Sequence, residues 1–204
     1  MTILKIFTNL LVTLLTVPLL GMFIIANMTT APASQGVNKI ALKSVALITV
    51  SLNMILSFFI YVFFNSSSNQ FQFVEEHYTI SNYDIYLGVD GISIYFVLLT
   101  TIIMPIALVS NWNSIKENIK FYLMTILLLE TLLLAVFLVL DILLFYIFFE
   151  SILPPLFLLI GMFGSSNRVR ASFYLFLYTL LGSLFLLLSI LTMSSIMGTT
   201  DFDA

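Results

Sequence analysis

The chain has 204 residues, of which 61% are hydrophobic and 8% are charged, and its formal net charge is −3. Soluble domains carry about 25% charged residues, so this composition excludes an ordinary water-soluble core and predicts a protein whose solvent is lipid. The acidic balance argues against a nucleic-acid partner, and the absence of cysteine excludes disulfides and cysteine-ligated metals.

Six apolar runs are long enough to cross a bilayer, which requires about 20 residues. The first run is as long as a full span, so we interpret it as a transmembrane helix rather than a cleaved signal peptide. The stretch 121–164 would measure roughly 60 Å as one helix, so it must turn, and Asp141 is the expected N-cap of the following helix. The predicted helices, within a single transmembrane domain 1–204, cover approximately 3–26, 40–64, 89–110, 119–139, 142–163 and 171–197. The polar stretch Asn65–Leu87 is compatible with a hairpin or an extended segment.

The charged residues of the loops segregate between two faces when six spans alternate. One face carries Lys39, Lys43, Lys116, Lys120, Arg168 and Arg170 with the single acid Glu117, and the other carries Lys5, Glu75, Glu76, Asp84, Asp141, Asp201 and Asp203. The positive-inside rule then predicts that the N-terminus is on the outer side, with loops 1–2, 3–4 and 5–6 inside.

Two carboxylates, Glu130 and Glu150, lie deep in predicted spans. An ionised acid at the centre of a membrane helix costs roughly 3 kcal/mol, so such a group is expected to face the bundle interior or water. We predict that Glu150 is the primary proton-handling residue and Glu130 a secondary one. The alternative is that each acid is neutral, hydrogen-bonded and important only for packing.

The surroundings of Glu150 favour the functional interpretation. Pro154 and Pro155 have no N–H to donate to the carbonyls of Glu150 and Ser151, so a break in the helix is expected beside the carboxylate. A simple kink for packing is the alternative. Tyr146 lies four residues before Glu150 on the same helix face and is a candidate hydrogen-bond partner.

No Lys or Arg lies in the interior of any predicted span, so a cation for Glu150 would come from a neighbouring subunit or from a continuation of the chain. The sequence also contains no phosphate-binding loop, metal-ligand cluster or Ser/His/Asp set. We therefore expect neither a cofactor nor a metal in this chain.

Three stretches resemble the antiporter-like membrane subunits of respiratory complex I, in particular the NADH-ubiquinone oxidoreductase chain 4 family. They are Leu87-Gly-Val-Asp-Gly-Ile-Ser93, the block from Leu140 through Glu150 to Pro155, and Ala171–Ser183. The similarity covers about residues 86–191, whereas the first 80 residues match only in general character.

The resemblance implies the start of an antiporter-like fold with inverted repeats, whose first half-channel begins near residue 119. Glu150 corresponds to the glutamate of the fifth helix, which in the family pairs with a lysine on a later, broken helix. That lysine would lie past Ala204, so the chain is expected to be incomplete relative to the family.

The implied role is that of a proton-translocating subunit of NADH:ubiquinone oxidoreductase in the mitochondrial inner membrane. NADH, FMN, iron–sulfur clusters and ubiquinone would bind to other subunits. The implied partners are the other membrane-arm subunits and membrane lipids, with cardiolipin as a candidate. A subunit of a multi-subunit sodium/proton antiporter and a purely structural membrane subunit are the alternatives.

Overall fold

The computed structural model describes residues 10–28, 35–68, 70–80, 83–115 and 117–200. Within these ranges the chain forms seven helices and one β-hairpin. In chain order they are α1 (Leu10–Asn27), α2 (Gln35–Phe63), β1 (Gln72–Ile80), β2 (Tyr83–Val89), α3 (Ser93–Ser110), α4 (Ile119–Leu138), α5 (Ile142–Ser151), α6 (Leu153–Phe163) and α7 (Arg168–Met197).

Six helical spans of the described residues are long and apolar enough to cross a membrane, with α5 and α6 together forming the span Ile142–Phe163. The prediction of an all-α polytopic membrane fold with about six spans is confirmed. The third helix was predicted too early, at 89, because the chain up to Val89 pairs in strand β2 and helix α3 begins at Ser93. The last helix begins at Arg168 rather than at 171. Residues 3–9 of the predicted first helix lie outside the described residues.

Helix α4 lies at the centre of the bundle. It packs against α1, α2, α3, α5 and α6, and 67% of its membrane-spanning window is buried, compared with 11% for α7. Because lipid and protein interior are both apolar, α4 can be hydrophobic all round, as a helix surrounded by other helices should be. The buried polar side chains of α4 therefore bond either to their own helix, as the hydroxyls of Thr125 and Thr131 do, or to a neighbouring helix.

The polar stretch between α2 and α3 forms an antiparallel hairpin, in which Gln72 is opposite Val89 and Glu76 is opposite Tyr86. The hairpin lies against the turn between α4 and α5, where the N–H of Leu140 donates to the Tyr86 carbonyl at 3.0 Å. A Cβ on Gly88 would come within 2.8 Å of Leu140 Cδ1, so a larger residue at this position would require the Leu140 side chain to shift. The hairpin therefore covers one end of the bundle.

Basic side chains hold the opposite end together. Lys43 Nζ lies 5.5 Å from the centre of the Trp112 ring and donates to the Trp112 carbonyl. Lys120 Nζ donates to the carbonyls of Ala26, at 2.7 Å, and Met28, at 3.1 Å. These bonds satisfy backbone acceptors where α1 and α3 end. The two lysines therefore stabilise the helix ends, in addition to contributing to the charge difference between the two faces.

Candidate functional site

The turn between α4 and α5 fixes where the fifth span begins. Asp141 Oδ1 accepts a hydrogen bond from the Leu144 N–H at 2.8 Å, which confirms the predicted N-cap. Asp141 Oδ2 accepts from the Thr200 hydroxyl, and the Ile142 N–H donates to the Thr200 carbonyl at 2.9 Å. The chain just after α7 is thus bonded to the start of α5.

The fifth span is interrupted next to Glu150. Helix α5 ends at Ser151, and α6 begins at Leu153 with Pro154 and Pro155 in its first turn, where a missing N–H is tolerated. At the junction the Ile152 N–H donates to the Phe149 carbonyl at 3.3 Å, a tighter turn than that of an α-helix. The interruption places irregular backbone beside a carboxylate.

Glu150 is half-buried, and its Oε2 atom is buried without a hydrogen-bond partner. Tyr146 is also half-buried one turn earlier. Within the described part of the chain, no hydrogen bond joins the two side chains, and Glu150 forms no ion pair. The structure thus presents Glu150 as a carboxylate with an open bonding position.

Glu130 is completely buried in the middle of α4. Its Oε1 atom accepts a hydrogen bond from Asn53 Nδ2 of helix α2 at 2.8 Å, whereas its Oε2 atom has no partner. Sequence reasoning identified the acid but missed Asn53. A signal was available, since Thr49, Asn53 and Ser57 are spaced by four residues and therefore share one face of α2.

The two carboxylates are equally far, along their helices, from the turn that joins α4 and α5. Glu130 precedes the end of α4 by the same number of residues as Glu150 follows the start of α5, about 12 Å of helix in each case. They therefore lie at corresponding levels on the two arms of one helical hairpin. Among the described residues, no group of three or more His, Asp or Glu side chains is arranged to hold a metal ion.

Comparison with known proteins shows the family to which the chain belongs. Residues 139–204 match the family described as NADH:quinone oxidoreductase/Mrp antiporter, transmembrane. The chain is 50% identical over 190 residues to NADH-ubiquinone oxidoreductase chain 4 of Mycosarcoma maydis, which covers 93% of this chain and 39% of that protein. The chain belongs to the NADH-ubiquinone oxidoreductase chain 4 family.

Two further comparisons give another relative of the chain and a solved structure with the same fold. It is 74% identical over 131 residues to an uncharacterized 50.9 kDa protein in ND4 intron 1 of Podospora anserina, covering 64% of this chain and 29% of that protein. A chain of respiratory complex I from Thermus thermophilus has the same fold, with a TM-score of 0.75, 23% identity, and coverage of 94% of this chain and 37% of that chain. The antiporter-like character of the fold is thereby established, and the sequence spans less than two fifths of the length of these relatives.

Proposed function

We propose that this chain forms part of a proton-translocating membrane subunit of NADH:ubiquinone oxidoreductase, complex I, with Glu150 as its central proton-handling carboxylate. Membership of the chain 4 family supports the assignment to the complex. The observation that carries the assignment of Glu150 is its buried, unpartnered Oε2 atom beside an interrupted helix.

The chemistry proposed for Glu150 is the binding and release of a proton. Its Oε2 atom has a free position at which a proton can be gained. Pro155 has no N–H to donate to the carbonyl of Ser151, whereas the carbonyl of Glu150 faces the Ile152 N–H in place of the donor that Pro154 lacks. A carbonyl without its helical donor is an acceptor for water inside the membrane. Tyr146, one turn away, is a candidate to donate a hydrogen bond when its hydroxyl turns towards the carboxylate.

A cation is the second component of the proposal. A positive charge that approaches a buried carboxylate favours its charged form, and withdrawal of that charge favours protonation. Among the described spans, Lys43 and Lys120 lie towards one end and donate to backbone carbonyls there, so we propose that the cation comes from outside the described residues, including a neighbouring subunit. Motion of that cation would then load and unload Glu150, and Glu130 would contribute a smaller share.

The remaining assignments follow from the same proposal. Redox chemistry, with NADH, FMN, iron–sulfur clusters and ubiquinone, would occur in other subunits, and this chain would bind no cofactor or metal. Its partners would be the other membrane-arm subunits and lipids, with cardiolipin as a candidate. It is a multi-pass membrane protein. We assign it to the mitochondrial inner membrane, with the end that contains Lys43 and Lys120 on the matrix side and the N-terminus on the intermembrane-space side.

The test is Glu150→Gln in the intact complex, reconstituted in proteoliposomes. Gln keeps the shape of the side chain but cannot release a proton, so proton pumping should fall strongly while the complex still assembles. Glu117→Gln is the matched control, because Glu117 is exposed before α4, and it should pump normally. Glu130→Gln should cause a smaller loss than Glu150→Gln. Normal pumping by an assembled Glu150→Gln complex would contradict the proposal.

A sodium/proton antiporter subunit is the second candidate, because the matching family description includes Mrp antiporters as well as oxidoreductases. Sodium-dependent proton exchange across vesicles in the absence of quinone would favour this candidate. Under the complex I assignment, proton movement instead requires NADH and quinone together.

A further inference from the structure

Two buried polar side chains one turn apart on α2 bond to two different helices. Asn53 Nδ2 donates to Glu130 Oε1 of α4 at 2.8 Å. The hydroxyl oxygens of Ser57 and of Thr101, which belongs to α3, lie 2.7 Å apart. All four residues have an exposed fraction of 0%. One face of α2 is therefore held by polar bonds to both α3 and α4.

The two bonds differ in the chemistry of the group that α2 meets. The hydroxyls of Ser57 and Thr101 stay neutral near neutral pH, and each also lies within hydrogen-bond distance of a carbonyl of its own helix. The carboxyl group of Glu130 can instead gain or lose a proton. The bond from Asn53 therefore acts on a group with two charge states, whereas the bond from Ser57 joins two groups that serve packing.

The surroundings of Glu130 suit a neutral acid. Its Oε1 atom has one amide donor, and its Oε2 atom is buried without a hydrogen-bond partner. On α4 itself, Lys120 lies ten residues away, about 15 Å along the helix, and donates to carbonyls at the end of α1. A buried ionised carboxylate with a single neutral donor is strongly unfavourable, whereas a protonated one is tolerated. Glu130 is thus suited to hold a proton.

The orientation of the Asn53 amide decides which oxygen of Glu130 carries that proton. A protonated carboxyl group has one O–H, which donates, and one carbonyl oxygen, which is its better acceptor. Because Asn53 Nδ2 donates to Oε1, Oε1 is the carbonyl oxygen and the proton belongs on Oε2. With the amide reversed, Asn53 Oδ1 would face Oε1, and these two acceptors could bond only if the proton were on Oε1.

We propose that Asn53 is a positioning residue for Glu130: its amide turns the carboxyl group towards α2, keeps Oε1 as the carbonyl oxygen and places the proton of the neutral acid on Oε2. Asn53 itself neither gains nor loses a proton. The inference deepens the proposed function, in which Glu130 has a smaller share than Glu150, and it rests on that function only for the use that is made of the proton.

The test is infrared spectroscopy on the intact complex in lipid membranes. The carbonyl band of protonated Glu130 is the band that is lost in Glu130→Gln. The reference is a dilute, monomeric carboxylic acid in an alkane, whose carbonyl oxygen accepts no hydrogen bond. In the unmodified complex the Glu130 band should lie at lower wavenumber than this reference, because Oε1 accepts from Asn53.

Asn53→Leu, of similar size, should move the Glu130 band to higher wavenumber, towards the reference, because Oε1 loses its donor. Ser57→Ala is the matched control. It removes the other interhelical polar bond of the same face of α2, one turn away, but this bond leads to Thr101 and not to Glu130. The Glu130 band should therefore stay in place in Ser57→Ala.

Three results would overturn the proposal. The first is the absence of any carbonyl band that is lost in Glu130→Gln, since Glu130 would then hold no proton. The second is a band at the position of the reference acid in the unmodified complex, since the carbonyl oxygen would then have no donor. The third is an equal response of the band to Asn53→Leu and Ser57→Ala, which would indicate a general effect on packing.

The first two measurements use the unmodified complex and Glu130→Gln, so they decide the matter even if Asn53→Leu fails to assemble. Normal proton pumping by Glu130→Gln, with the band at its expected position, would refute only the share of Glu130 in pumping. Normal pumping by Glu150→Gln would likewise refute the role of Glu150 and leave the position of the Glu130 proton unaffected.

Discussion

Replacement of Asp141 by alanine should loosen the start of α5 measurably. The carboxylate supplies two bonds, one to the Leu144 N–H at 2.8 Å and one from the Thr200 hydroxyl. Loss of an N-cap costs about 1 kcal/mol, and a typical internal hydrogen bond contributes about 1 kcal/mol. The free energy of local opening should therefore fall by about 2 kcal/mol, which corresponds to roughly 30-fold more frequent opening.

Hydrogen–deuterium exchange on the assembled complex measures this opening directly, because the amide of Leu144 loses its acceptor. Exchange in a peptide covering the start of α5 should accelerate roughly 30-fold in Asp141→Ala. Thr200→Val removes only the second bond and should accelerate exchange about 5-fold. Asp141→Asn keeps a capping oxygen and should stay close to the original rate. Equal exchange rates in Asp141→Ala and Asp141→Asn would refute the assignment of Asp141 as the cap.

Three further predictions concern packing and the helix break. Gly21→Ala should destabilise the complex by about 1 kcal/mol or more in thermal unfolding, since the new Cβ would lie 2.5 Å from Thr49 Cγ2. Gly182→Ala is the control, because a Cβ there meets nothing within 4 Å and should be neutral or slightly stabilising. Equal effects of the two substitutions would contradict the close approach of α1 and α2. Lys120→Met should speed amide exchange at the end of α1, because two carbonyls lose a charged donor that contributes about 2 kcal/mol, and Lys120→Arg should restore much of the protection. Pro154→Ala combined with Pro155→Ala should lower proton pumping, because restored N–H groups would bond to the carbonyls of Glu150 and Ser151; unimpaired pumping would indicate that the break serves packing alone.

The sequence by itself determined the features of this protein that depend on local chain properties. A bilayer requires apolar runs of a certain length, so the six spans follow from hydropathy alone. The start of α5 and its interruption are also local, since Asp141 caps the amide three residues later and Pro154 and Pro155 remove their own N–H donors.

The tertiary structure alone decided which polar groups meet. Asn53 and Glu130 are 77 residues apart, and Asp141 and Thr200 are 59 apart. In a soluble helix, hydrophobic periodicity shows which face is buried, but in a membrane the lipid-facing and buried faces are both apolar, so the sequence does not reveal how each helix is rotated. Packing α4 among its neighbours turned Glu130 towards α2, and that rotation created the acid–amide pair.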